Sequence, residues 1–169
     1  SLMLCLMIIK TQLGSSALAD ERLKTDCHNT LEQARLWIRA TDFNAPEEEK
    51  TRVKSAINIA NQACRLAKES APDDGEILVN SAYALFAAEK KKEAVKLIQE
   101  ASEIGYPPAM VMMARYLGQG KYMEKDSEGA WLLLIKTLKT KHDVARIQAA
   151  LEFLPGGVCL LYTSDAADE

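Results

Sequence analysis

Apolar and polar positions along this chain alternate with a helical period almost throughout. From Ala71 to Ala101 the sequence reads APDDGEILVNSAYALFAAEKKKEAVKLIQEA, which predicts a helix, a tight basic turn and a second helix. Small residues stand where two such helices would touch: Ala82 and Ala84 on the first, Ala94 and Ala101 on the second. A lone helix pair of this kind cannot bury its own apolar faces and needs neighbours stacked on both sides.

Upstream, Cys27, Leu31, Ala34 and Ile38 recur at helical spacing and predict a helix over 21–40, with Trp37 beside the stripe as packing. Residues 41–44 read as a turn in which Asn44 caps the next helix. Pro46 suits a first helical turn, and Glu47, Glu48 and Glu49 complement the positive helix end. That second helix is expected to reach about Ser70, with Val53, Ile57, Ala60, Cys64 and Ala67 as its buried face. Downstream, Pro107 and Pro108 start a helix, Gly118 and Gly120 allow it to end, Asp126 caps the next one and Ala130 permits close packing. Alternating β-branched stretches are absent, so the expected class is all-α.

Both ends are set apart. SLMLCLMII is an apolar run of signal-peptide length, and Ala17, Leu18 and Ala19 form a small-residue cleavage site before Asp20. Residues 1–19 therefore read as a secretory signal peptide lacking its first residues. The alternative is a buried N-terminal helix, which Lys10 would interrupt. The run is too short to span a bilayer. At the other end CLLYTSDAADE, Cys159 to Glu169, reads as a translated sequencing-library adapter, so residues 158–169 are expected to be an artefact. The native domain is then 20–157, truncated at its C-terminal end.

The full chain carries 21 Lys and Arg against 24 Asp and Glu; within 20–157 the balance is 20 against 21. No basic face is left for nucleic acid or an anionic membrane. Of four cysteines, Cys27 and Cys64 remain in the trimmed domain. The midpoint between them falls between Ala45 and Pro46, in the predicted turn, and residues equidistant from the turn of an antiparallel hairpin face each other. A disulfide is the natural pairing in an oxidising compartment, contributing about 3–4 kcal/mol by loop entropy. Two buried free thiols are the alternative.

A repeat is also legible. Ala60, Cys64 and Ala67 recur 34 residues later as Ala94, Ile98 and Ala101, the tetratricopeptide period. The segment from Gly75 to about Tyr106 resembles a tetratricopeptide repeat, with Leu78 where the family has Trp and Ala82 where it has Gly. Beyond Gly105, YPPAMVMMARYLGQGKYMEKDSEGAWLLLIKT resembles the related Sel1-like repeat through Ala109, Met113, Ala114, Leu117, Gly120, Met123, Asp126 and Ala130. The family's second glycine is Tyr122 here. Ala145, Ala149, Ala150, Phe153 and Gly156 repeat Ala109, Met113, Ala114, Leu117 and Gly120 at an offset of 36, so a second such unit begins. Met110, Met112 and Met113 read as core filling.

The resemblance implies a right-handed α-solenoid of antiparallel helix pairs. It implies a protein–protein interaction scaffold of the bacterial envelope or periplasm, exported, binding a protein or peptide on the concave face without catalysis. The groove positions it implies are Val79, Asn80, Tyr83, Arg115 and Tyr116. The family's carboxylate clamp would need Lys and Asn at the positions of Val79 and Tyr83, which this chain lacks. No cofactor or metal is expected. G-x-S-x-G, H-E-x-x-H and phosphate-cradling glycine loops are absent, and His28 and His142 are the only histidines. Asp73 and Asp74 sit where capping explains them. A rival reading makes the chain an accessory repeat region of a larger enzyme whose catalytic domain lies outside this fragment.

Overall fold

The computed structural model describes the backbone of residues 2–42 and 44–153, and the side chains from residue 17 onward apart from residue 43. The expected adapter segment 158–169 lies outside the described residues, as do the side chains of the apolar N-terminal run. Among the described residues the chain is all-α, with no strand. Its helices are α1 (Leu2–Ala40), α2 (Glu47–Ser70), α3 (Gly75–Ala87), α4 (Lys91–Glu103), α5 (Pro107–Gln119), α6 (Ser127–Leu138) and α7 (Asp143–Leu151). They fall into two compact units, residues 1–90 and residues 91–169.

In the first unit α1 packs on α2, α2 on α3, and α1 on α3. The core is small-residue-rich: Cys27, Leu31 and Ala34 of α1, Ala60, Cys64 and Ala67 of α2, and Ile77 and Ala84 of α3. Small side chains let the helix backbones approach closely, and a disulfide joins Cys27 to Cys64 with their Cα atoms 4.4 Å apart. Three of the expected features differ. The α1 helix begins at Leu2, well before residue 21, and Ile38 is 41% exposed. Ile38 lies in the last turn of α1, and Val53, equidistant from the turn on α2, is itself only partly buried. Asn44 does not cap α2 either. Pro46 takes the cap position in an extended conformation with no side-chain cap bond.

Polar bonds fix the third helix. Asp74 caps α3, its Oδ1 accepting from the backbone N–H groups of Glu76 and Ile77 at 2.9 and 3.2 Å. Lys24 of α1 reaches over to the same turn, 2.9 Å from Asp74 and 2.7 Å from Glu76. Asn61 Nδ2 of α2 donates to the Ala84 carbonyl at 3.1 Å, and Ser81 Oγ of α3 donates to the Cys64 carbonyl at 3.3 Å. Each satisfies a polar group that burial would otherwise penalise.

In the second unit α4 packs on α5, and α5, α6 and α7 pack on one another. Their core is Val111, Ala114, Ala130, Leu134, Ala145 and Ala149, with Leu117, Leu133, Leu138 and Phe153 against it. The predicted punctuation is present. Pro107 and Pro108 open α5, and Gly120 closes it at φ 63° in the left-handed region. Gly118 is buried inside the helix. Asp126 accepts from the Gly129 N–H at 2.8 Å to cap α6, and His142 Nδ1 accepts from the Ala145 N–H at 3.2 Å to cap α7. The residues of the 34-residue correspondence, Ala60, Cys64, Ala67, Ala94, Ile98 and Ala101, are all buried, as are Ala82 and Ala84.

Candidate functional site

The five groove positions divide between the units: Val79, Asn80 and Tyr83 on α3, Arg115 and Tyr116 on α5. Val79 is only 7% exposed and belongs with the packed side chains of α3. Tyr83 is half-buried against the first core, and the Arg35 guanidinium of α1 lies 4.4 Å from the centroid of its ring. Arg35 is itself ion-paired with Glu32 one turn earlier. A cation over an aromatic face is attracted by the ring quadrupole, so Arg35 and Tyr83 form one amphipathic surface element. Asn80 is half-buried, yet its Nδ2 is buried with no hydrogen-bond partner. An unmade bond of this kind costs about 1–3 kcal/mol.

On α5, Arg115 Nε donates to Glu152 Oε1, a carboxylate that is itself buried. The Tyr116 ring meets the Tyr122 ring edge-on, with centroids 5.2 Å apart. Lys121 Nζ stands 5.2 Å from the Tyr122 ring. Tyr122 adopts φ 69°, a left-handed conformation that glycine holds without strain and other residues rarely take.

The perturbed titrating groups are found at the α1–α3 contact. The Glu76 hydrogen bond lifts Lys24 above its usual 10.5; partial burial opposes this, and the hydrogen bond to Asp74 and both carboxylate charges add to the rise. At Asp74 burial works against ionisation. The Lys24 hydrogen bond and charge, with the Ile77 and Glu76 N–H groups, outweigh it and hold the carboxyl below its usual 3.8. This is a structural latch: each charge is engaged by its neighbour.

Sequence reasoning missed a groove in the first unit. Thr30, Gln33 and Trp37 of α1 and Arg52, Ser55, Ala56 and Ile59 of α2 line an open cleft of about 280 Å3. Trp37 is 37% exposed and Ile59 is also exposed. The signal was in the spacing: 30, 33 and 37 on one helix and 52, 55, 56 and 59 on the other are second stripes, turned away from the core stripes. Trp37, expected to pack beside the core stripe, lines this cleft as well. Arg52 is held by Glu48 at 2.6 Å at the cleft's edge.

Among the described residues no cluster of three or more His, Cys, Asp or Glu is placed to hold a metal ion. Among them, too, no helix is long and apolar enough to cross a membrane. His28 is exposed on α1 and His142 serves as a helix cap. Comparison with protein-family models, with curated proteins and with solved structures finds no match.

Proposed function

We propose that this chain is a helical-repeat scaffold of the tetratricopeptide and Sel1-like kind, an α-solenoid that binds an extended segment of another protein without catalysis. The reading is supported by a shared packing order. In the trio α1, α2 and α3, and again in α5, α6 and α7, the first helix packs on the second, the second on the third, and the first on the third. Stacked helix pairs produce this order, and it aligns every other helix into one layer.

The observation that carries the binding claim is on α3, in that layer. The Arg35 guanidinium lies 4.4 Å from the centroid of the Tyr83 ring, and both side chains are partly exposed. Tyr83 and Arg35 would supply the aromatic and cationic contacts that dominate binding hot spots. Two features support an exported protein: the Cys27–Cys64 disulfide fits an oxidising compartment, and the small-residue junction before Asp20 fits export.

The test is a random-peptide display selection against the purified chain, followed by titration of the selected peptides. Arg35→Ala and Tyr83→Ala are expected to weaken them by at least about tenfold, the usual consequence of removing a hot-spot contact. Trp37→Ala, in the separate α1–α2 cleft, is expected to leave affinity unchanged. Failure to select any peptide, or peptides indifferent to both the Arg35 and the Tyr83 variant, would overturn the reading.

A further inference from the structure

The side chains that cap α3, α6 and α7 are not chemically alike. Asp74 and Asp126 cap the first two, and His142 caps α7. The His142 backbone is extended, at φ −89° and ψ 93°, and its Nδ1 accepts from the Ala145 N–H at 3.2 Å. An accepting ring nitrogen needs a free lone pair, so the imidazole is neutral here and carries its one proton on Nε2. A carboxylate cap keeps its acceptor oxygens down to about pH 4. An imidazole ordinarily takes a second proton near pH 6.5, and both of its nitrogens are then donors. The cap of α7 is thus built from a group whose acceptor disappears in mild acid.

We propose that His142 is a proton-operated latch: protonation of Nδ1 detaches the cap and loosens the first turn of α7. Two effects act together. The imidazolium turns an N–H toward the Ala145 N–H that it had served, and it sets a positive charge at the positive end of the helix. The surroundings do little to compensate that charge. From the start of α5 the facing titratable group is Tyr106, whose ring meets the imidazole edge-on with centroids 6.3 Å apart. Lys139 and Lys141, after α6, flank it with like charge. Asp143 is the adjoining carboxylate, and Arg146 already holds it at 3.2 Å. The far end of α7 is held separately, by the pair of Arg115 and Glu152, so opening begins at the capped end. There Ala145 is a fully buried member of the second core, and the latch therefore acts on packing as well as on one hydrogen bond.

The experiment measures amide hydrogen exchange in the full chain at about pH 7.5 and about pH 5, either side of the ordinary imidazole value. Rates are expressed as protection, which removes the intrinsic pH dependence of exchange. Protection of the amides of Ala145 and Arg146 is expected to fall in acid by about fivefold or more, the usual worth of an N-cap side chain. The Gly129 amide, bonded to Asp126, should keep its protection. His142→Asn, a cap that does not titrate in this range, should hold protection at both pH values, and His142→Ala should lack it at both. Nitrogen NMR of the ring should show Nδ1 unprotonated at the higher pH, with His28, exposed on α1, as the reference imidazole in the same chain. Equal parent protection at the two pH values would overturn the proposal, and so would an equal acid loss in His142→Asn or a neutral ring protonated on Nδ1. Should His142→Ala fail to fold, the parent and His142→Asn decide the matter between them.

Discussion

Breaking the Cys27–Cys64 bond is the perturbation whose size follows most directly from the fold. The two residues are 37 positions apart. In the chain-entropy model a cross-link closing a loop of that length withholds about 3.8 kcal/mol of unfolded-state entropy at 25 °C. For a unit of about ninety residues, that corresponds to a fall in melting temperature of roughly 15 °C or more. Both cysteines are buried, so reductant will not reach the bond in the native state. The protein must be reduced in denaturant and refolded with reductant present. One tryptophan lies in each unit, Trp37 in the first and Trp131 in the second. A Trp131→Phe background therefore lets Trp37 fluorescence report urea unfolding of the first unit alone. The oxidised and reduced forms differ by two hydrogens and no side-chain volume to speak of, so the comparison isolates the cross-link from cavity effects. Oxidised protein should present two titratable thiols of its four, Cys5 and Cys159. A loss of stability below about 1 kcal/mol, or four titratable thiols after oxidative refolding, would refute the reasoning.

Two further outcomes are expected. Ala94 is fully buried on α4, so Ala94→Leu should overpack it and cost about 1–3 kcal/mol in a urea melt, whereas Lys92→Leu, on the exposed side, should cost less than about 0.5 kcal/mol; equal tolerance would remove the 34-residue register. The Lys24 latch should show itself through pH. Asp74 has a depressed pKa, so its contribution is present above the unfolded value of 3.8 and is lost as pH falls through the folded one. Lys24 has a raised pKa, so its contribution is present below 10.5 and is lost as pH rises through the folded value. The stability difference between the parent and Lys24→Met, on the order of 1 kcal/mol for a half-exposed ion pair, should hold across neutral pH and shrink in acid below about pH 3.8; a difference unchanged in strong acid would show that Lys24 acts through packing alone.

Much of the helical framework was legible because it is written in local rules. Cap residues such as Asp74 and Asp126 act on backbone groups two or three positions away, and Gly120 ends α5 because its φ of 63° suits glycine. The cysteine pairing was legible because a hairpin turns sequence symmetry about a point into spatial contact. What escaped depends on tertiary surroundings. Ile38 continues a perfect helical stripe, but it stands in the last turn of α1 and is left exposed there. Asn44 has cap chemistry, yet the helix starts three residues later. Of the groove positions, Val79 turned inward, and Arg115 was taken by Glu152, 37 residues away. No periodicity announces an ion pair at that separation. Trp37, expected to pack beside the core stripe, also lines an open cleft.

The left-handed Tyr122 has a consequence for the loop after α5. Holding a non-glycine residue there costs about 1–2 kcal/mol of backbone energy, and the edge-on contact of its ring with Tyr116 offsets part of that cost. Tyr122→Gly would relax the backbone and remove the ring contact in one step, so the two halves of that single change pull stability in opposite directions.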